Sequence, residues 1–428
     1  MRSATRAGAS LAIALSFALP AAAEQDPAAP AGIITLADAI TRAMQANPEV
    51  AGAEFAVRAR EAAILQARRR INPQLVAEVE NLGGDRAATG GRQSTVSLEQ
   101  AFEFGGKRAA RVGVAEASRD LSQLALESRR LGVVANVARN FLEVLGAQRR
   151  LELGEQSVEV AREVAGVVSE RVGAGKVSPN DETRASLALA AETLERDRAE
   201  SELASARLRL AATWGATAPD FARASGDLDS LPELPVLDSL QELVETTPEL
   251  KRWTAELAHR KAVVELERAR AAPDVSVSGG YRMFEADTEA FVVGISIPLP
   301  LADRNHGARQ AARQELLQAE QERQAALVRV HQAVAENHVA LMRAEREVRK
   351  IRDEMIPDAE SAFSAVNEGY SLGKFGYVEV LDARRVLTAV RTQLLRAVVD
   401  VQRASAELQR LTGTVMNDIT NGSERDEN

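Results

Sequence analysis

The sequence predicts a mainly α-helical, internally duplicated chain with a small β part that spans a membrane. Three observations support this prediction. The same short landmarks recur about 200 residues apart, far beyond the ~20–50-residue period of a solenoid. The composition, with 27% charged and 4% aromatic residues, is typical of long helices with coiled-coil seams. Four short segments, two in each half, alternate apolar and polar residues as strands do.

The duplication sets the expected domain boundaries. The segment Asn47–Val50 returns as Thr247–Leu250, and Gly175-Lys176 returns as Gly373-Lys374. A long unit duplicated once predicts one architecture built from two similar halves. We expect repeat 1 over residues 36–217, a proline-rich linker over 218–235, repeat 2 over 236–414 and a polar tail over 415–428.

The amino terminus predicts export. Arg2 and Arg6 precede an apolar run from Leu11 to Leu19, and small residues up to Ala23 offer a cleavage site, so residues 1–23 are expected to form a signal peptide. A flexible segment should follow over residues 24–35. The chain has no cysteine, which excludes disulfides and a lipid-bearing cysteine. The net charge of −9 argues against nucleic acid as a partner.

Helical periodicity fills most of each half. Apolar residues follow alternating three- and four-residue steps, which pack knobs into holes against neighbouring helices. No proline interrupts the pattern from Gly105 to Val172, and such a helix would be about 100 Å long. The second half repeats the pattern from about Asn305 to Tyr370, where Pro357 should bend the helix. From these seams alone, an ordinary helical bundle is the alternative. Helical hairpin tips are expected at about 173–178 and 371–376.

The alternating segments predict two β-hairpins, at about 74–104 and 274–301. Each segment is about as long as a membrane-spanning strand, ~9–11 residues, with one apolar and one polar face. Two soluble hairpins packed on helices are the alternative. Four strands cannot close a barrel, because even the smallest membrane barrels need about eight. If the strands span a membrane, several chains must therefore share one barrel.

Three motifs connect the chain with a known family. They are Val79–Gly84, Phe102–Arg108 and Ala174–Pro179. Together with the duplication, they make the chain resemble the TolC family of outer-membrane efflux ducts over nearly all of Leu36 to Gly413, and more narrowly its cobalt–zinc–cadmium branch. The resemblance implies a homotrimer, with a shared twelve-strand β-barrel in outer-membrane lipid standing on a long periplasmic α-helical barrel.

The resemblance also implies a function. In this branch, the duct passively conducts divalent heavy-metal cations handed over by an inner-membrane pump of the resistance-nodulation-division (RND) class and a periplasmic adaptor. A drug efflux or type I secretion duct of the same fold is the alternative.

The two helical tips carry the site predicted from this resemblance. Asp181 and Tyr370 match positions that hydrogen-bond between helices to close the periplasmic mouth, and Glu379 and Asp382 match two acidic rings at the constriction. Phe375 departs from the family prototype, which has a basic gate residue there, so we expect the gate to be held less by ion pairs and more by aromatic packing. The alternative is a purely structural role, in which glycines permit the turns and acidic residues cap the helices. The expected adaptor-docking residues are Gly175, Lys176, Val177, Ser178, Gly373, Lys374, Phe375 and Gly376.

Other classes of protein find little support in the sequence. The sequence contains no phosphate-binding glycine loop and no plausible nucleophile with an activating base, so it does not indicate an enzyme. We also expect no cofactor. The four histidines have no chelating spacing, so we expect no resident metal site. A periplasmic adaptor would have one helical hairpin rather than a duplication, and a structural coiled coil would lack the β-hairpins.

Overall fold

The computed structural model describes residues 32–82, 91–285 and 288–413. The predicted signal peptide, most of the segment 24–35, Gly83-Gly84 of the first motif and the predicted polar tail lie outside these ranges. Within them, no helix is long and apolar enough to cross a membrane.

The first half contains a short helical pair and a long helical hairpin. Asn47 separates the short pair, and its side-chain oxygen accepts hydrogen bonds from the backbone N–H groups of Glu49 (2.8 Å) and Val50 (3.1 Å). This caps the second helix, in which Pro48 occupies the first position and, having no N–H, leaves no donor unpaired there. The third helix runs for 67 residues, about 100 Å. The helices are α1 (Leu36–Ala46), α2 (Pro48–Arg68), α3 (Lys107–Gly173) and α4 (Pro179–Ala212).

The second half repeats this plan with one interruption. Thr247 takes the capping place of Asn47, and its hydroxyl accepts a hydrogen bond from the Leu250 N–H (3.4 Å). A π-helical turn over Ile351–Met355 breaks the long helix directly before Pro357, and the Ile356 N–H donates to the Ile351 carbonyl. The wider turn accommodates the missing N–H of proline. The helices are α5 (Leu237–Glu242), a 3-10 turn (Val244–Thr246), α6 (Pro248–Ala269), α7 (His306–Lys350), α8 (Ile356–Ser371) and α9 (Tyr377–Thr412).

The alternating segments form one four-stranded antiparallel sheet. Its strands are β2 (Gln74–Glu80), β3 (Gln93–Phe102), β5 (Val275–Phe284) and β6 (Glu289–Ser296), in the order β2-β3-β5-β6. Both edges, β2 and β6, have no strand partner on their outer side among the described residues. A single chain therefore contributes an open sheet.

The sheet has one apolar and one polar face. Leu75 lies opposite Leu98, and Val277 lies opposite Ile295, so these residues share a face. This apolar face is exposed in the single chain, with Phe291 88% accessible. On the other face, the Arg282 guanidinium donates to the Thr95 hydroxyl (2.9 Å) and lies 3.5 Å from the Glu80 carboxylate.

Two further strands pair far from this sheet. β1 (Ile33–Thr35) runs parallel to β4 (Arg223–Ser225), and Ile34 and Ala224 are buried. The expectation of a flexible segment over residues 24–35 is therefore wrong for its last three residues. The expected linker over 218–235 also contains an ordered strand. Main-chain pairing with residues about 190 positions away fixes β1, which no local pattern indicates.

Two hydrophobic clusters form most of the core, one mainly in each half. The first buries Ile34, Phe141, Leu210 and Phe221 between α1, α3, α4 and the small parallel sheet. The second packs the last helix of the chain against α7 and includes Leu250, Leu341, Ile351 and Val401. A third, smaller cluster lies beneath the two helical tips.

Candidate functional site at the helical tips

Both helical tips end in the same local structure. Gly175 follows α3 and Gly373 follows α8, with φ of +69° and +75°, a conformation that glycine adopts without a Cβ penalty. The Lys176 N–H donates to the Arg171 carbonyl (2.9 Å), and the Lys374 N–H donates to the Gly369 carbonyl (2.8 Å). Together with the glycine N–H bonds, these form a Schellman motif at each tip. The duplicated sequence thus builds two equivalent hairpin ends.

The helices that leave the tips begin differently. The Ser178 hydroxyl accepts a hydrogen bond from the Asn180 N–H (3.2 Å), and Pro179 opens α4. Gly376 has no side chain to cap α9, and the Glu379 carboxylate folds back over it. Glu379 sits near the positive end of the α9 dipole, where a negative charge is favourable. This position fits the alternative in which the acidic residues of the tips stabilise the helix ends, and a role of Glu379 in a gate stays a prediction.

Four helices pack together beneath the tips. Tyr370 of α8 and Tyr377 of α9 are buried, with ring centroids 6.2 Å apart. They contact Val168 of α3 and Ala185 of α4. The Arg171 guanidinium lies 4.5 Å from the Tyr370 ring centroid and donates to the Tyr370 carbonyl (3.1 Å). This cation–π contact joins the first hairpin to the second.

The expected hydrogen bond between Asp181 and Tyr370 is not formed in the structure. The Tyr370 hydroxyl is buried and has no hydrogen-bond partner in the described chain. Asp181 is half-buried, and its negative charge acts on the Tyr377 hydroxyl. Burial raises the pKa of Tyr377, the Arg384 charge opposes this, and Tyr370 and Asp181 add to it. The tip is therefore held by aromatic packing around an unpaired hydroxyl.

Phe375 packs directly on Gly369. The Phe375 ring lies so close to the backbone that a Cβ at position 369 would be 2.2 Å from its Cδ2 atom. A larger residue at position 369 would displace this ring, and Phe375 is 46% exposed. The Phe375 ring therefore packs on the end of α8, and its contribution to a gate stays a prediction.

The remaining predicted residues form an exposed rim. Lys176 and Lys374 stand on the two turns, and Glu379 and Asp382 lie on the exposed face of the first turns of α9. Val177 is half-buried between the turn and the helices. The structure thus brings the predicted tip residues into one end of the molecule, with charged side chains outermost.

Sequence reasoning missed Tyr377, Arg171, Gly369 and Arg384. Arg384 is buried; it donates to the Ser157 carbonyl and lies 3.8 Å from the Glu192 carboxylate, so it links α9 to α3 and α4. One signal was available: two of the three tyrosines of the chain flank the second tip. No pattern in the sequence indicates which arginine turns inward.

The side chains at the tips form an exposed, charged surface. Among the described residues, no group of three histidine, aspartate or glutamate side chains is arranged to hold a metal ion. The fold and the tips together define a class: long helical hairpins with a two-faced antiparallel sheet at one end and a pair of glycine turns at the other.

Comparison with known proteins identifies the family. The family described as "Outer membrane efflux protein" matches residues 39–216 and 239–414. The chain belongs to this family, whose members transport rather than catalyse.

Individual proteins resemble the chain over most of its length. Cobalt-zinc-cadmium resistance protein CzcC of Cupriavidus metallidurans (strain ATCC 43123 / DSM 2839 / NBRC 102507 / CH34) is 36% identical over 388 residues, 90% of this chain and 92% of that protein. Nickel-cobalt-cadmium resistance protein NccC of Alcaligenes xylosoxydans xylosoxydans is 31% identical over 291 residues, 67% of this chain and 63% of that protein. A crystal structure of CusC matches with a TM-score of 0.75 at 19% identity, covering 88% of this chain and 91% of that one, which shows a shared fold.

Proposed function

We propose that the chain is the outer-membrane exit duct of a tripartite efflux system and passively conducts divalent heavy-metal cations. An RND pump and a periplasmic adaptor hand the cations to it. The observation that supports a duct function most directly is the open, two-faced sheet at one end of helices about 100 Å long. The names of CzcC and NccC support the choice of substrate.

The open sheet supports a homotrimer. Unpaired backbone groups at the edges of β2 and β6 would each cost several kcal/mol in lipid. Pairing β6 of one chain with β2 of the next satisfies both edges. Three copies of four strands make a twelve-strand barrel, which is above the minimum of about eight. The apolar face then contacts lipid and the polar face with Arg282 lines the lumen.

The tips support a gate and a docking surface. In a trimer, Glu379 and Asp382 would each occur three times around the mouth, and such rings of carboxylates favour cations. The buried tyrosine pair and the Phe375–Gly369 contact hold the hairpins together. The turns at Gly175–Ser178 and Gly373–Gly376 are the outermost backbone, and we assign them to the adaptor. Adaptor binding would separate the hairpins and open the mouth.

The proposed location follows from the amino-terminal segment and the sheet. Residues 1–23 direct export and are removed near Ala23, and the barrel then inserts in the outer membrane of a Gram-negative bacterium, with the helices in the periplasm.

Gene deletion tests the function. We expect the deletion strain to become sensitive to one or more of cobalt, zinc, cadmium, nickel, copper and silver, and to retain that metal in its cells. Complementation with the intact gene is the control. Sensitivity to hydrophobic drugs without metal retention would keep the duct and favour the drug-efflux alternative. Unchanged sensitivity to both would contradict the proposal.

A further inference from the structure

A basic cavity lies where the sheet meets the helices. It has a volume of about 1350 Å³ and lies between the end of α2, the start of α3 and α6. No aspartate or glutamate is among the described residues that line it, although the chain is acidic overall. Its arginines are Arg60, Arg68, Arg69, Arg70, Arg108 and Arg111.

Most of this positive charge is not neutralised. Arg111 pairs with Glu103 and donates to the carbonyls of Ala67 and Arg69, both at 3.2 Å, so it shapes the cavity wall. Arg68 pairs with Glu116 at 3.0 Å. The other four arginines make no ion pair within 4.0 Å in the part of the chain that the structure describes. Four exposed guanidinium groups thus face a space without a counter-charge.

The cavity opens beside the apolar face of the sheet, at the end of the sheet that is nearest the helices. Gln100 lies two residues from both Leu98 and Phe102 along β3 and opposite Val277, which places it on the apolar face. Its amide donates to the Ile71 carbonyl (2.9 Å), and both residues line the cavity. The long helices leave the sheet at this same end, so the cavity lies on the periplasmic side of the apolar band.

His259 adds a neutral polar group to the cavity. Burial lowers the pKa of His259, with the Arg260 and Arg60 charges acting in the same direction against Glu256. Its Nδ1 atom is buried and has no hydrogen-bond partner among the described residues. A neutral imidazole keeps one N–H donor and one acceptor nitrogen and adds no positive charge to the cavity wall.

We propose that this cavity binds the phosphate-bearing headgroup of an anionic phospholipid in the periplasmic leaflet. The proposal rests on the proposed function, because only insertion in the outer membrane brings headgroups to this level. Guanidinium groups bind phosphate oxygens in pairs of parallel hydrogen bonds. The acyl chains of the same lipid would lie along the exposed apolar face near Phe102. The arrangement matches basic pockets next to membrane spans, which bind anionic headgroups.

Lipid binding by purified full-length protein tests the proposal. The protein is stripped of lipid, reconstituted in nanodiscs of phosphatidylcholine with a variable share of phosphatidylglycerol, and assayed for retained phosphatidylglycerol. The test variant is Arg69→Gln/Arg70→Gln/Arg108→Gln. The matched control, Arg184→Gln/Arg385→Gln/Arg396→Gln, removes three exposed arginines without ion pairs from α4 and α9.

We expect about a fivefold loss of phosphatidylglycerol affinity per arginine, or about a hundredfold for the test variant. The control should match the wild type. Equal affinity in both variants would overturn the proposal. Competition by inorganic phosphate or glycerophosphate as strong as that by the lipid would also overturn it, because the site would then serve a free anion.

A second measurement needs no variant. Photoreactive phosphatidylglycerol should label residues 66–73 or 108–118 of the wild-type protein, and labelling confined to the strands would contradict the proposal. Cell fractionation separates the two hypotheses. Absence from the outer membrane would overturn both, whereas outer-membrane protein without headgroup selectivity would overturn only this inference.

Discussion

Replacing Gly369 with alanine tests whether Phe375 holds the second tip closed. The new Cβ would lie 2.2 Å from Cδ2 and 2.5 Å from Cε2 of the Phe375 ring. Carbon atoms pack at about 3.5–4.0 Å, so the ring must leave. Phe375 is 46% exposed, and its displacement loses roughly half of the ~1.5–3 kcal/mol that full burial of phenylalanine contributes, or about 1 kcal/mol.

The loss of stability should be confined to the second tip. Alanine also stabilises α8 by about 1 kcal/mol relative to glycine, so overall thermal stability should change little. The turn that follows should open more often, and about 1 kcal/mol corresponds to about a fivefold loss of amide protection. Hydrogen exchange of residues 369–378 in the purified protein measures this change. Single-channel recordings in planar bilayers should show longer open times.

Two controls make the test specific. Gly166→Ala lies in α3 near the tip, and its Cβ would meet nothing within 4 Å, so it should leave the turn protected. Adding Gly369→Ala to Phe375→Ala should cost nothing further, because the ring is already absent. If Gly369→Ala exchanges like Gly166→Ala, Phe375 does not hold the tip and the reasoning fails.

Three other predictions concern neighbouring residues. Because burial raises the pKa of Tyr377, its neutral form contributes stability that is present below pH ~10 and is lost as pH rises through the raised pKa; absorbance titration of the wild type should show one more late-ionising tyrosine than titration of Tyr377→Phe. Arg384→Met should destabilise the protein by about 2–3 kcal/mol in thermal unfolding, because it leaves Glu192 and the Ser157 carbonyl without their partner, whereas exposed Arg385→Met should have little effect. Asp382→Asn should reduce cation preference, and an unaltered reversal potential would exclude an acidic ring.

Much of the fold could be predicted because its signals are local. The alternation that puts Val277 and Ile295 on one face needs only the period of a strand. The cap at Ser178 and the turns at Gly175 and Gly373 follow from residue chemistry at one position. These local preferences agree with the tertiary structure, so the sequence pattern was sufficient there.

Other features depend on distant contacts. The pairing of Ile34 with Ala224 joins two three-residue strands, which are too short to give a pattern. The Phe375 ring covers Gly369 because the turn folds back over the end of α8. A glycine in the sequence does not by itself predict such a contact, because glycine is also used in turns and helix ends. The Asp181–Tyr370 bond was expected from resemblance, but here the buried Tyr370 hydroxyl has no hydrogen-bond partner among the described residues, and its ring packs near the Tyr377 ring. Side-chain partners across helices were therefore the least predictable part of the site.

The open edges of the sheet have a genetic consequence. A chain with a damaged β6 edge but an intact β2 edge still offers one pairing surface to its neighbours. In a cell that makes normal and damaged chains in equal amounts, random assembly into the proposed rings of three would leave only about one ring in eight free of damaged chains. Such alleles should therefore be dominant over the normal copy, whereas alleles that prevent the chain from folding at all should be recessive.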